Sequence, residues 1–297
     1  MKQLVENALA YAQTHNNEFL YDYFDLLKIK SISTDSTHKS EINKAANWLK
    51  DYLLKIGVPT AQVIETNGNP LIFGEWLEAG PEKPTILVYG HYDVQPPDPL
   101  DQWLSDPFKP ELRDNHIYAR GASDMKGQLM ITLNAINSFI SSAKTPINFK
   151  FIFEGEEEIG SPTIETFLKQ NKQLLAADFS LNLDAGMIAE DCPTIIYGLR
   201  GLAYFEIFIK GPSHDLHSGL FGGLVYNPAQ ALCELLSKMK NDDGKITLPG
   251  FYDSVIPIDA KEKEEFTRLP LSDAYYQEQS GTKSLWGEIG YSAVERV

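Results

Sequence analysis

"INFKFIFEGEEEIGS", residues 147–161, is an apolar run that empties into acid. Phenylalanine and isoleucine dominate from Ile147 to Phe153, as in a β-strand buried beside its neighbours. Glu154, Glu156, Glu157 and Glu158 then follow within five positions. Like charges this close disfavour one another, so they call for a counter-charge. The stretch predicts a strand of a buried sheet and, at its carboxyl end, a cation, with metal as the expected source.

The flanking segments extend the pattern. "NPLIFGEWL" (69–77), "PTILVYG" (84–90) and "AADFSLNLDAG" (176–186) read as strands, the second an unbroken apolar run between Pro84 and Gly90. Elsewhere the period is helical. Leu4, Leu9, Phe19, Tyr23, Leu26 and Leu27 recur at helical spacing over residues 3–29. "SEINKAANWLKDYLLKIG" (40–57) has Ser40 as a cap and Gly57 as its stop. Further helices are expected after Gly121, in "GASDMKGQLMITLNAINSFISSA", and over "SPTIETFLKQNKQLL" (161–175). Strand and helix alternate, which predicts an α/β fold with a mostly parallel sheet and helices on both faces. From about Tyr204 the texture changes: "AYFEIFIKG" (203–211) alternates like a half-exposed strand, and "NPAQALCELLSKMKN" (227–241) reads as a helix. The expected domains are therefore 1–203 and 204–297.

Composition sets outer bounds. With 297 residues, 43% of them hydrophobic, the chain can fill proper cores. A formal charge of −15 argues against nucleic acid or an anionic membrane as partner, because such surfaces need a basic face to displace counterions. Cys192 and Cys233 stand far apart, without CxxC spacing, so neither a disulfide framework nor a thiolate zinc site is expected and a reducing cytosol fits. No run of 18 apolar residues occurs, and no signal peptide is read at the N-terminus.

In an open parallel sheet, functional groups gather beyond the carboxyl ends of the strands. His91 and Asp93 follow "ILVYG", Glu156, Glu157 and Glu158 follow "FKFIFEG", and Asp184 ends "FSLNLD". Asp124 lies in "RGASDMKG", just ahead of a helix. A glutamate run alone is ordinarily a solvated loop, and a lone His beside a strand is ordinarily structural. Several separate strand ends finishing in ligand-type residues point instead to a metal site. Imidazole plus carboxylates without thiolate suits zinc, manganese or cobalt, and two divalent ions would balance this many acids. Asp124, between Gly121 and Gly127, is the best candidate to bridge them. Side chains of adjacent Glu157 and Glu158 diverge, so one can bind metal while the other serves as general base. Asp93 can accept the second N–H of His91 and fix its tautomer. No GxSxG elbow, HExxH helix, Walker loop or GxGxxG turn is present.

Taken together, "YGHYDVQPPDPLDQWLSDPF", "ARGASDMKGQ", "FEGEEEIGS", "LNLDAG" and "YGLRGLAYFEIFIKGPSHDLHSGLFGG" resemble the two-metal metallopeptidases that include cytosolic non-specific dipeptidases, carnosinases, glutamate carboxypeptidases and aminoacylases. The dipeptidase branch is the nearest in wording. The resemblance implies a three-layer αβα catalytic domain with an inserted α+β lid that dimerises, here incomplete. It implies that His91, Asp124 and Asp184 hold one ion, and that Asp124 bridges to a second held by Glu158. Glu157 is then the base and Asp93 the partner of His91. It further implies a cis peptide at Asp124–Met125, and that His217, in "DLHSG", stabilises the substrate oxyanion from the lid across a dimer interface. His214 is read as structural, and Arg200 is unassigned. The implied activity is dipeptide hydrolysis. The alternatives are an N-acyl amino acid amidohydrolase or desuccinylase and, in another class, an inactive metal-binding or interaction remnant. The last arises because members of the family are longer and take a further histidine toward their C-terminus, whereas the six histidines here (15, 38, 91, 116, 214, 217) end at 217. The chain is thus expected to be C-terminally truncated.

Overall fold

The computed structural model describes residues 2–142, 145–189 and 191–297. They divide into two compact units, Met1–Gly186 and Met187–Val297. The first is built on a five-stranded sheet of β1 (Thr60–Ile64), β2 (Leu71–Trp76), β3 (Thr85–His91), β6 (Asn148–Glu154) and β7 (Phe179–Asn182). Their spatial order is β1-β2-β6-β3-β7. β3 pairs in parallel with both β6 and β7, while β2 is antiparallel to β1 and to β6. β2 alone therefore runs against the others, and the sheet is mainly parallel in direction, as the alternation of strand and helix predicts.

The apolar run of β6 explains how the layers form. Phe149, Phe151 and Phe153 point to one face, where Val88 and Ile72 join α1 (Lys2–Leu27), α2 (Lys39–Lys55) and α3 (Lys126–Ser142) through Leu26, Leu49, Leu53 and Leu133. Ile152 points to the other face, with Phe73, Leu175 and Phe167 of α4 (Ile164–Gln170). A strand covered on both sides has no polar alternation to show, which is why its sequence reads as continuous grease. Burying each such phenylalanine contributes roughly 1.5–3 kcal/mol.

Local chemistry shifts several expected boundaries. α2 starts at Lys39, not after Ser40, because Asp35 already accepts from the Thr37 amide and leads the chain into a 3-10 turn, Ser36–His38, that runs straight into the helix. Gly57, at φ +91°, ends the helical stretch as expected. α3 begins only at Lys126. The Ala122 carbonyl accepts the Tyr23 hydroxyl at 2.9 Å instead of a helix amide, and Gly121 has φ +83°, so residues 122–125 stay outside the helix. Two features escaped the sequence reading. One is the edge strand β1, whose mixed burial gives no clean period. The other is a hairpin of β4 (Glu111–Arg113) and β5 (His116–Tyr118), turned by Asp114 and Asn115, both at positive φ.

In the second unit, α5 (Ser218–Phe221), α6 (Pro228–Ser237), α7 (Ala260–Thr267), α8 (Asp273–Ser280) and α9 (Ala293–Arg296) are joined by turns and extended chain. α6 follows its sequence signals, with Asn227 as cap and Pro228 in the first turn. The strand expected over 203–211 is not formed, and Tyr204, Phe205 and Phe208 stand exposed. Among the described residues of this unit no second strand offers it a ladder, and an unpaired strand leaves its amides and carbonyls to solvent.

Candidate metal centre

β3 sits between two parallel neighbours, so three carboxyl ends open into the same crevice. His91 ends β3, opposite Glu154 of β6. The imidazole is fully buried. Its Nδ1 faces Asp93, at 3.1 Å from the main-chain carbonyl and 3.3 Å from Oδ1. Its Nε2 faces carboxylates only: Asp124 Oδ1 at 3.1 Å, Glu157 Oε2 at 3.8 Å and Asp184 Oδ2 at 3.9 Å. Donor atoms within 4.8 Å of one another form two groups that share His91, one with Asp124 and Asp184 and one with Glu157 and Glu158. The carboxylates are open to solvent, with side-chain exposure of 61% for Asp124 and 36% for Glu157 and Asp184, while the histidine forms the floor.

Asp93 has a wider task than holding one imidazole. Buried as deeply as His91, its carboxylate also accepts the main-chain amides of Glu157 at 3.3 Å and Glu158 at 3.1 Å. It thereby fixes the 3-10 turn Glu157–Ile159 against the end of β3. Glu158 accepts Gln95 Nε2 at 2.7 Å. The other two acids of the run are turned elsewhere, which corrects the expectation of metal as counter-charge for all four. Glu154 accepts the hydroxyls of Tyr89, at 2.6 Å, and Ser161, at 2.9 Å. Glu156 accepts the Asn69 amide at 2.9 Å and the Thr163 hydroxyl. Glu156 is thus satisfied by protein donors and needs no ion, whereas Glu154 Oε2 is buried without a hydrogen-bond partner among the described residues, and burial raises this carboxyl above the usual carboxylate range.

The charges at the crevice do not balance among themselves. Burial pulls His91 down, but the hydrogen bond and charge of Asp93, then Glu157 and Asp184, outweigh it and raise the imidazole to about 9. Burial pushes Glu157 above the usual carboxylate range. His91 opposes this, while Glu158, Asp184 and Asp93 add to it. Glu158 is likewise raised by burial and by Asp124, against the hydrogen bond from Gln95. One imidazolium among five carboxylates, those of Asp93, Asp124, Glu157, Glu158 and Asp184, leaves an excess of negative charge. An imidazole with one nitrogen already held by Asp93, plus hard oxygen donors, fits a divalent cation.

Asp124–Met125 is a cis peptide bond. The His91 main-chain amide donates to Met125 Sδ at 3.0 Å. His217 lies in the second unit, where its exposed ring caps α5 and accepts the Gly219 amide at 3.1 Å. His214 and Arg200 are exposed in the same unit. Sequence reasoning missed Gln95, which donates to Glu158, the Met125 sulfur that accepts the His91 amide, Tyr89, which donates to Glu154 opposite His91, and the buried Lys126 two residues after Asp124. Lys126 alone carried a signal: a lysine at the apolar start of a buried helix needs acceptors.

Residues 87–255 match the family described as peptidase family M20/M25/M40. The chain is 32% identical over 292 residues to the beta-Ala-His dipeptidase of Homo sapiens, covering 93% of this chain and 57% of that protein. Among solved structures it resembles the dipeptidase Dug1p of Saccharomyces cerevisiae, at 27% identity and a TM-score of 0.74, covering 96% of this chain and 63% of that one. It also resembles the M20 family metallo-carboxypeptidase Sso-CP2 of Sulfolobus solfataricus, at 33% identity and a TM-score of 0.74, covering 94% of this chain and 61% of that one. The chain thus spans little more than half the length of these proteins.

Proposed function

Because the chain belongs to peptidase family M20/M25/M40, we propose that it is the ion-holding part of a metal-dependent dipeptidase. The observation that carries this reading is the surround of His91 Nε2: carboxylates of Asp124, Glu157 and Asp184 reach it within 3.9 Å from separate loops, while Asp93 occupies Nδ1. His91, Asp124 and Asp184 would hold one divalent ion, zinc or manganese, and Asp124 with Glu158 a second. Bound ions supply Lewis acidity, lowering the pKa of water toward neutrality and polarising a carbonyl. Glu157 then takes the proton of the attacking water and returns it to the leaving amine. Its carboxyl pKa, raised by burial and by neighbouring carboxylates, suits a group that must hold and release a proton. Asp93 keeps the Nδ1–H tautomer of His91, so that Nε2 presents its lone pair.

In this reading residues 1–203 are the N-terminal part of the catalytic domain and 204–297 part of a lid. From that lid His217 stabilises the oxyanion across a homodimer. Dipeptides are the proposed substrates, in keeping with the names of the relatives. Two free cysteines, and no helix long and apolar enough to cross a membrane among the described residues, are consistent with work in the cytosol. Elemental analysis of the purified chain and hydrolysis of a panel of dipeptides and N-acetyl amino acids test the proposal. The expected outcome is bound zinc or manganese, lost in Asp124→Ala, and turnover of dipeptides. Turnover of the acyl amino acids alone would replace the dipeptidase reading with an amidohydrolase one.

A further inference from the structure

The loops that carry His91 and Asp124 belong to different elements, yet one further segment grips both. It is the end of α1 with the chain that follows, Tyr23–Ile32. On the Asp124 side, Tyr23 Oη donates to the Ala122 carbonyl at 2.9 Å. Lys126 Nζ, fully buried, donates to the Ile29 carbonyl at 2.7 Å and the Leu26 carbonyl at 3.3 Å. These contacts fall on either side of Asp124 in the chain. On the His91 side, the buried Ser31 hydroxyl donates to the Tyr92 carbonyl at 2.7 Å, and the Ser31 carbonyl accepts the Val94 amide at 2.9 Å. Tyr92 and Val94 flank Asp93, whose carboxylate in turn sets His91 and the amides of Glu157 and Glu158.

A buried amine is a costly way to fill space at the start of a helix, where methionine would occupy a similar volume without desolvating a polar head. What the amine adds is direction and length: Lys126 ties the Leu26 carbonyl of α1 and the Ile29 carbonyl just past it to the loop that presents Asp124. The Leu26 carbonyl, at the negative end of the helix dipole, also accepts the Ile29 amide, and the Ile29 carbonyl also accepts the Ser31 amide, so the amine takes up the second lone pair of each. We propose that Tyr23–Ile32 is a brace that sets the separation of the Asp124 and His91 loops, with Lys126 the positioning residue at its centre. The brace itself lies outside the residues 87–255 matched by the family. It rests on the metal reading of the site, because its effect is on the ion-holding geometry.

The test is a Co²⁺ titration of the whole 297-residue chain, followed by the visible absorption of the bound ion, for wild type, Lys126→Met, Tyr23→Phe and Ser31→Ala. Lys126→Met is expected to weaken Co²⁺ binding about 10-fold, the usual effect of removing an outer support of a metal ligand, and to shift the absorption band. Each hydroxyl deletion is expected to weaken binding about 3-fold with an unchanged far-ultraviolet circular dichroism spectrum. A purely structural role would lower thermal stability yet leave the affinity and spectrum of the folded protein alone. If wild type binds Co²⁺ and the folded variants match it in affinity and band position, the brace is wrong while the metal reading stands. If wild type binds none, the metal reading falls and takes the brace's function with it. Should Lys126→Met fail to fold, the two hydroxyl variants decide, since each removes a single oxygen.

Discussion

Glu157 and Glu158 are neighbours in the chain with different surroundings, in keeping with the different roles proposed for them. Gln95 engages Glu158, whereas Glu157 Oε2 points toward His91. Glu157→Gln keeps the shape and removes the proposed base, so dipeptide turnover should fall about 10²- to 10⁴-fold while metal content, read by elemental analysis, stays at the wild-type level. Retained turnover would mean the proton goes elsewhere. His91 supplies a pH signature. Without metal its pKa in the folded protein, raised against the effect of burial to about 9, chiefly by Asp93, lies above the ordinary imidazole value of 6.5. The folded state then holds a proton that the unfolded state gives up. This stabilisation is complete below about pH 6.5 and is lost as pH rises through about 9. Melting temperature without metal should therefore decline across that window, and Asp93→Asn, which deletes the main charge raising the imidazole, should flatten the decline. A slope unchanged by Asp93→Asn would contradict the pairing. Histidine and acids at strand ends were plain in the sequence, but Tyr89 and Gln95 were not, because each acts on a carboxylate more than sixty positions away.

Helix α3 illustrates what periodicity does and does not carry. Its apolar face is evident in Leu129, Met130, Leu133 and Ile136, all buried. Periodicity places its start too early, because the pattern runs smoothly back toward Gly121, while Tyr23 takes the Ala122 carbonyl and the helix begins at Lys126. Gly127 shows how tight that corner is. A Cβ there would lie 2.1 Å from the Ala122 carbonyl oxygen and 2.8 Å from Tyr23 Oη. Helix propensity alone would favour Gly127→Ala by up to about 1 kcal/mol, but backbone cannot retreat as a side chain can. Gly127→Ala is therefore expected to destabilise the chain by about 1–3 kcal/mol in urea unfolding. A stabilised variant would show that the corner yields. The acidic turn after β6 follows the same logic: Glu154 and Glu156 go to protein donors, among them the distant Tyr89 and Asn69, while the amides of Glu157 and Glu158 are bound to Asp93 and their carboxylates go to the crevice.

Across the molecule, the two units differ in how much of their apolar surface finds cover. Phe149, Phe151 and Phe153 are at most 7% exposed, while Tyr204, Phe205 and Phe208 are at least 75% exposed. Amide hydrogen exchange should register this: protection over Phe149–Phe153 close to that of global unfolding, and exchange over Tyr204–Ile209 faster by orders of magnitude. Strong protection of the second stretch would mean that it pairs with another strand after all. Apart from the edge strand β1 and the β4–β5 hairpin, the order of strands and helices in the first unit, the crevice at its carboxyl ends and the residue types that line it could be read from the chain, since hydrophobic period and strand-end chemistry are local properties. Which acids face the crevice, where α3 begins, and how Tyr23–Ile32 joins the His91 and Asp124 loops could not. Those depend on hydrogen bonds between residues tens of positions apart, and only the closed core, by expelling water, decides which donor each buried carbonyl and carboxylate receives.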